Sequence, residues 1–213
     1  MTTERFAHLP HNQAADNNKQ PIYEALNELD LLSSRVLEIG SGTGQHGVYF
    51  CQNSKNLTWQ LTEHPANMAA VLSWHKVAES ENIDNLLAPV SFDIAIDNLS
   101  QMFNNVYNAP DGFDVVYSAN VLHIVSKKFA KHMIDQCADF LIRGQKLVCY
   151  GPFKQNQKFT TESNAEFDCW LRSEGYGGIN DIADIEVWSQ SRLKLTDWLA
   201  MPANNFLLVY QKL

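Results

Sequence analysis

One stretch limits what this chain can fold into more than any other. RVLEIG, Arg35 to Gly40, is a short apolar run that passes through an acid and continues as Ser41-Gly42-Thr43-Gly44. A helical segment follows over residues 45–51. A brief apolar run bounded by glycines suits a strand buried on both faces of a parallel sheet. Glycine serves where the backbone turns with positive φ or meets a ligand with no Cβ in the way. The helix beyond it offers unpaired N–H groups to a carboxylate. The pattern therefore predicts strand, ligand-binding turn and helix, the opening unit of an α/β sheet.

The alternation then repeats. Residues 57–62 read as a second strand, and Pro65 opens a helix carrying Met68, Val71 and Leu72, since proline suits a first turn. Residues 86–92 form a third strand, 99–107 a helix, 113–118 a fourth strand, 127–142 a helix stopped near Gly144, and 146–150 a fifth strand. Residues 151–190 are polar, with glycines at 175, 177 and 178, and predict two short helices without a strand. The last two strands, 193–199 and 206–212, flank an MPANN connection too short for a helical crossover, so the final strand should run antiparallel. The first twenty residues are a polar arm leading into a helix marked by Ile22, Leu26 and Leu29. The expectation is a single α/β domain over residues 1–213: a Rossmann-like, doubly wound sheet of seven strands with an antiparallel last strand. An N-terminal arm (1–20) precedes it, and a helical insertion between strands 5 and 6 (151–190) serves as a lid. In such sheets ligands bind outside the carboxyl ends of the strands.

Composition narrows the function. With 45% hydrophobic residues in 213, the chain buries one substantial core. The net charge of −8 and pI of about 5.3, without a run of Lys or Arg, give no footprint for a phosphate backbone, so no nucleic acid partner is expected. The N-terminus has no basic segment followed by an apolar one, and no stretch suits a bilayer span, which predicts a cytoplasmic protein without a membrane partner. Cys51, Cys137, Cys149 and Cys169 lie far apart without a CxxC pair and read as reduced thiols, mostly in the core. His8, His11, His46, His64, His75 and His132 show no ligand spacing, so no metal site is expected. Trp59, Trp74, Trp170, Trp188 and Trp198 read mainly as core, with Trp170 and Trp188 placed to line the lid.

The acids decide the cofactor. Glu38 ends the first strand and stands ready to place an amino-acid group over Gly40, Ser41, Gly42 and Gly44. Glu63 ends the second strand, about 20 residues past the loop, where a carboxylate accepts ribose hydroxyls. Asp93 follows the third strand and suits an adenine amino group, with Phe92 or its neighbour flanking the ring. Together they predict S-adenosylmethionine as cofactor and methyl transfer as the reaction. Gly42-Thr43-Gly44-Gln45-His46-Gly47 also matches the G-x-G-x-x-G fingerprint of dinucleotide enzymes, which keeps an NAD-dependent oxidoreductase as an alternative. That register begins two residues late and leaves Glu38 unexplained.

These residues resemble the class I methyltransferases. A closer resemblance is to a small family of predicted methyltransferases described as a domain of unknown function, whose animal member is called methyltransferase-like protein 26. The likeness rests on AADNNKQPI (14–22), RVLEIGSGTGQH (35–46), VVYSANVLHI (115–124), YGPF (150–153), ESNAEFDCWLR (162–172) and MPANN (201–205). Membership implies the fold and the cofactor but no particular acceptor.

Methyl transfer is an in-line displacement from a sulfonium, so alignment matters more than a strong base. After the fourth strand, Asn120 is a candidate for holding substrate or cofactor and His123 for a general base. Asn18, Tyr150, Asn164 and Asn204 are candidate substrate contacts, brought in by the arm, the fifth strand, the insertion and the last turn. The same asparagines equally suit tying down turns. A small polar acceptor is the leading reading. The alternatives are a protein methyltransferase and a non-catalytic S-adenosylmethionine-binding module. Oligomeric state leaves no mark in the sequence.

Overall fold

The computed structural model describes residues 9–103 and 112–213. Its strands are β1 (Arg35–Ile39), β2 (Thr58–Glu63), β3 (Leu86–Ser91), β4 (Val115–Ala119), β5 (Lys146–Gly151), β6 (Leu193–Met201) and β7 (Asn205–Lys212). They form one seven-stranded sheet in the order β3-β2-β1-β4-β5-β7-β6. β2 pairs parallel with β1 and β3, and β4 with β5, whereas β7 lies antiparallel between β5 and β6. The expected doubly wound sheet with an antiparallel last strand is present. The Pro202–Asn204 turn explains the reversal: Ala203 and Asn204 adopt φ of 57° and 58°, folding the chain back within one turn.

The chain divides into two compact units, residues 1–93 and 94–213. The first holds β1 to β3 with α1 (Gln13–Glu28), α2 (Gln45–Asn53) and α3 (Met68–Ser80). Its core gathers Leu37, Ile39, Phe50, Trp59, Leu61 and Val71, each 0–1% exposed. Burial of one such side chain contributes roughly 1.5–3 kcal/mol. α2 packs on the sheet so closely that a Cβ at Gly47 would stand 2.7 Å from Leu61 Cδ2 and 3.0 Å from Trp59 Cδ1. Gly47, part of the alternative dinucleotide fingerprint, is thus accounted for by packing.

The first helix begins earlier than expected. α1 begins at Gln13, with the Asn12 side chain accepting from the N–H groups of Ala14 and Ala15. Hydrophobic periodicity reveals only the half containing Ile22, Ala25 and Leu26, because the earlier turns bury the polar Asn18 instead of an apolar stripe. Pro21 lies inside the helix.

The second unit holds α4 (Leu99–Phe103), α5 (Lys127–Phe140), α6 (Glu162–Ser173) and α7 (Ile182–Trp188) with β4 to β7. The helix expected over 99–107 is described to Phe103, and the rest of it, like His8, lies outside the described residues. α5 buries Ala130, Met133, Ile134, Cys137 and Ala138, the spacing of one helical face. α6 and α7 are the helices expected in the insertion; past Gly151, the last residue of β5, its described residues form isolated bridges and no strand. Cys51, Cys137 and Cys149 are buried and Cys169 is exposed. Trp59 and Trp188 are core residues, while Trp170 and Trp198 are half exposed. Among the described residues, no helix is long and apolar enough to cross a membrane, and no group of three or more His, Cys, Asp or Glu could hold a metal ion.

Candidate functional site

In the first unit, three acids stand at or just past the carboxyl ends of three neighbouring strands: Glu38 in β1, Glu63 in β2 and Asp93 after β3. Adjacent strands are about 4.8 Å apart, so the row covers on the order of 10 Å. The glycine loop between β1 and α2 is strapped to β2. Gly40 and Ser41 donate their N–H groups to the Thr62 carbonyl at 3.1 and 2.9 Å, and Ser41 Oγ accepts from Thr62 N at 3.1 Å. Gly42 sits at φ 59°, a left-handed conformation that side chains rarely adopt, and nothing lies within 4 Å of where its Cβ would be. Gly44, at φ 86°, caps α2.

Each acid has a distinct environment. Glu38 is 1% exposed, and Trp59 Nε1 donates to its Oε2 at 2.9 Å. Burial pushes its carboxyl up to about 7 against the hydrogen bonds from Trp59 and Ser41. Glu63 reaches back to the loop, its Oε2 accepting from Gly42 N at 2.5 Å and its Oε1 from His64 N and Asn67 Nδ2 at 2.9 and 3.0 Å. A carboxylate has about four acceptor positions, so these contacts orient Glu63 without exhausting it. Asp93 is partly exposed, with His64 Nε2 3.4 Å from its Oδ2. Phe92 is 3% exposed and belongs to the core, so the ring presented to solvent beside Asp93 is His64. Sequence reading assigned no ligand role to His64 or Asn67.

Asn18 is 8% exposed and its Oδ1 lies 2.7 Å from Nε2 of buried His46. Asn18, expected as a substrate contact, is bonded through its Oδ1 inside the first unit. This pairing of α1 with α2 leaves no mark in hydrophobic periodicity.

In the second unit, Asn120 and His123 lie in the loop after β4. Asn120 has φ 59° and donates its N–H to the Tyr150 carbonyl at 2.8 Å. A positive φ in a residue other than glycine is held only where the surroundings demand it. A Cβ at Gly151 would stand 3.5 Å from His123 Nδ1 and 3.6 Å from Asn120 Oδ1, so both polar atoms face the end of β5. His123 is 6% exposed and meets Phe167 edge-on at 5.6 Å, and burial lowers its imidazole to about 4. Tyr150 is 3% exposed.

The insertion is bonded to that loop. Gly177 and Gly178 donate their N–H groups to the carbonyls of Ile124 and His123 at 3.4 and 3.0 Å, and Asn180 Nδ2 donates to the Leu122 carbonyl at 2.8 Å. Asp168 holds the turn after α6, accepting from Ile179 N at 2.6 Å and from Arg172 Nε at 2.8 Å. Asn164 and Asn204 do come together: Asn164 Nδ2 donates to the Asn204 carbonyl at 3.1 Å, and Asn204 Nδ2 to Ser163 Oγ at 3.0 Å. They tie α6 to the turn before β7.

A family model described as Protein of unknown function (DUF938) matches residues 9–212. The chain belongs to this family. Solved structures that share the DUF938 chain's fold include methyltransferases. Human N-acetylserotonin methyltransferase in complex with SAM aligns at TM-score 0.74 and 11% identity, covering 94% of this chain and 53% of that one. An O-methyltransferase family 2 protein from Planctomyces limnophilus, in complex with apigenin, aligns at 0.68 and 15%, covering 92% and 62%. An O-methyltransferase family protein from Burkholderia thailandensis aligns at 0.67 and 18%, covering 98% and 61%. The DUF938 chain thus spans 53–62% of the length of these structures and shares their fold.

Proposed function

We propose that this DUF938 chain binds S-adenosylmethionine and transfers its methyl group to a small polar acceptor. The observation that carries this reading is the row of Glu38, Glu63 and Asp93 beside the glycine loop. S-adenosylmethionine has three separate donor groups, an ammonium, a ribose diol and an adenine amino group, and each needs an acceptor. Glu38 serves the first, with Gly40, Ser41, Gly42 and Gly44 leaving room for the methionine carboxylate; Glu63 takes the diol and Asp93 the amino group. A dinucleotide fits less well, because its pyrophosphate would sit against the buried Glu38 carboxyl. The solved methyltransferases that share the fold, one with SAM and one with apigenin, support both the cofactor and a small-molecule acceptor.

Asn120 and His123 are the groups assigned to the acceptor side. An imidazole lowered to about 4 by burial is neutral at working pH, so His123 offers a lone pair or N–H to orient an acceptor and is a weak base. The insertion over residues 151–190 is assigned the role of a lid and the enzyme a cytoplasmic location, as the sequence suggests. Calorimetric titration with S-adenosylmethionine, S-adenosylhomocysteine and NADH tests the cofactor. Micromolar binding of the adenosyl ligands, weakened by Gly42→Arg and Asp93→Ala, is the expected result. Binding of NADH alone would replace this reading with the oxidoreductase.

A further inference from the structure

The segment AADNNKQPI is distinctive in the sequence, yet the row of acids makes no use of it. The structure places it in the first turns of α1, whose contacts run to the residues that follow the glycine loop. Gln45 Oε1 accepts from Asn12 N and from Thr43 Oγ1, both at 2.7 Å, which joins the start of α1 to the loop through one buried side chain. One residue on, His46 is 6% exposed and its Nε2 lies 2.7 Å from Asn18 Oδ1. With the amide oxygen accepting, Nε2 carries the proton, and the unprotonated Nδ1 stands beside Glu38 Oε1 at 4.0 Å, a packing contact without a hydrogen bond. Burial lowers the ring to about 4, which keeps it neutral, against the opposing pull of its hydrogen bond to the Ala15 backbone. Lys19, in α1, forms an ion pair with Asp16 and lies 5.5 Å from the Tyr49 ring centre.

We infer that α1 is the clasp of the cofactor loop, with Asn18, His46 and Gln45 acting as positioning residues for the methionine end of the bound cofactor. The chain of contacts is Asn18 to His46 to Glu38 on one side, and Asn12 to Gln45 to Thr43 on the other. The first ends on Glu38, assigned to the ammonium, and the second on Thr43, between Gly42 and Gly44 in the loop assigned to the methionine carboxylate. The hydrogen bonds of these chains run to the loop, whereas Glu63 and Asp93 are assigned to the nucleoside. The clasp therefore acts on one half of the ligand. This rests on the proposed S-adenosylmethionine site.

Two ligands separate the halves: S-adenosylhomocysteine carries the amino acid, and 5′-methylthioadenosine lacks it. Calorimetry with wild type, Asn18→Ala, Asn18→Asp and Thr43→Val is expected to show S-adenosylhomocysteine weakened about tenfold by Asn18→Ala, the scale of one lost buried hydrogen bond. Methylthioadenosine should bind all four proteins within about twofold, a spread small on the scale of one hydrogen bond. Asn18→Asp keeps an acceptor for Nε2 and is expected to restore binding. Thr43→Val changes shape little, so it carries the test if Asn18→Ala does not fold, and it should weaken the longer ligand alone. Equal losses for both ligands, or no loss for either, would overturn the clasp while leaving the cofactor reading intact. Wild type that binds neither ligand would overturn both.

Discussion

Replacing Glu38 by Gln removes a charge that the fold holds out of water while keeping an oxygen for the Trp59 indole. Burial raises this carboxyl from 4.5 to about 7. Below pH 4.5 the group is neutral in both states and adds nothing pH-dependent. Between 4.5 and 7 the unfolded chain ionises while the native protein lags, so stability present at low pH is lost as pH rises. At about 1.36 kcal/mol per unit the full linkage is about 3 kcal/mol, of which about 2.5 kcal/mol falls between pH 5 and pH 8. Glu38→Gln does not titrate, so its stability advantage over wild type should grow by that amount across the interval. Urea melts of both proteins at pH 5, 6, 7 and 8 measure it. His46, which loses stability in the opposite direction as pH falls from 6.5 towards 4, is present in both and largely cancels. Parallel stability curves would refute the reasoning, because they would mean that Glu38 ionises as it does in water. The same substitution should weaken S-adenosylmethionine binding. A change that steadies the empty protein and impairs the loaded one marks a residue kept for function.

The second unit yields four further tests. Gly177→Ala would put a Cβ 2.0 Å from the Val125 carbonyl oxygen, so the variant should lose about 2 kcal/mol or more in a denaturant melt; unchanged stability would mean that the insertion is not held against this loop. In folded protein, Gly151→Ala, strained at φ 157° though at ordinary contact distance from His123, fills the space that His123 and Asn120 face. It should keep cofactor affinity and lower turnover on an acceptor found by label transfer, and full turnover would move the acceptor elsewhere. A rate governed by His123 should be level from pH 6 to 8 and fall with an apparent pKa near 4, whereas a break near 6.5 would point to another group. Asn164→Ala and Asn204→Ala, in folded protein, should reduce turnover by loosening the tie between α6 and the last turn, and unchanged turnover would remove the lid from the mechanism.

The parts of this molecule that were legible in the sequence are those governed by one-dimensional rules. Strands buried on both faces read as apolar runs, α5 reads as a helical stripe, and the Glu38-to-Gly44 spacing announces a ligand turn because acid and glycine are both required there. What stayed hidden is polar and three-dimensional. The first turns of α1 passed for a loose arm, since Asn18 enters the interior to meet His46 and no apolar period accompanies it. The choice between Phe92 and its neighbours at the proposed adenine position depends on which way a side chain turns at the end of a strand, and here Phe92 turns inward. Asn164 and Asn204, forty residues apart, meet only because β7 folds back beside β5. Pattern thus finds the frame and the first acids of the site. The groups around those acids, from the buried Trp59 indole on Glu38 to the exposed His64 beside Asp93, are polar partners that only the folded chain supplies, and they are the residues most open to test by substitution.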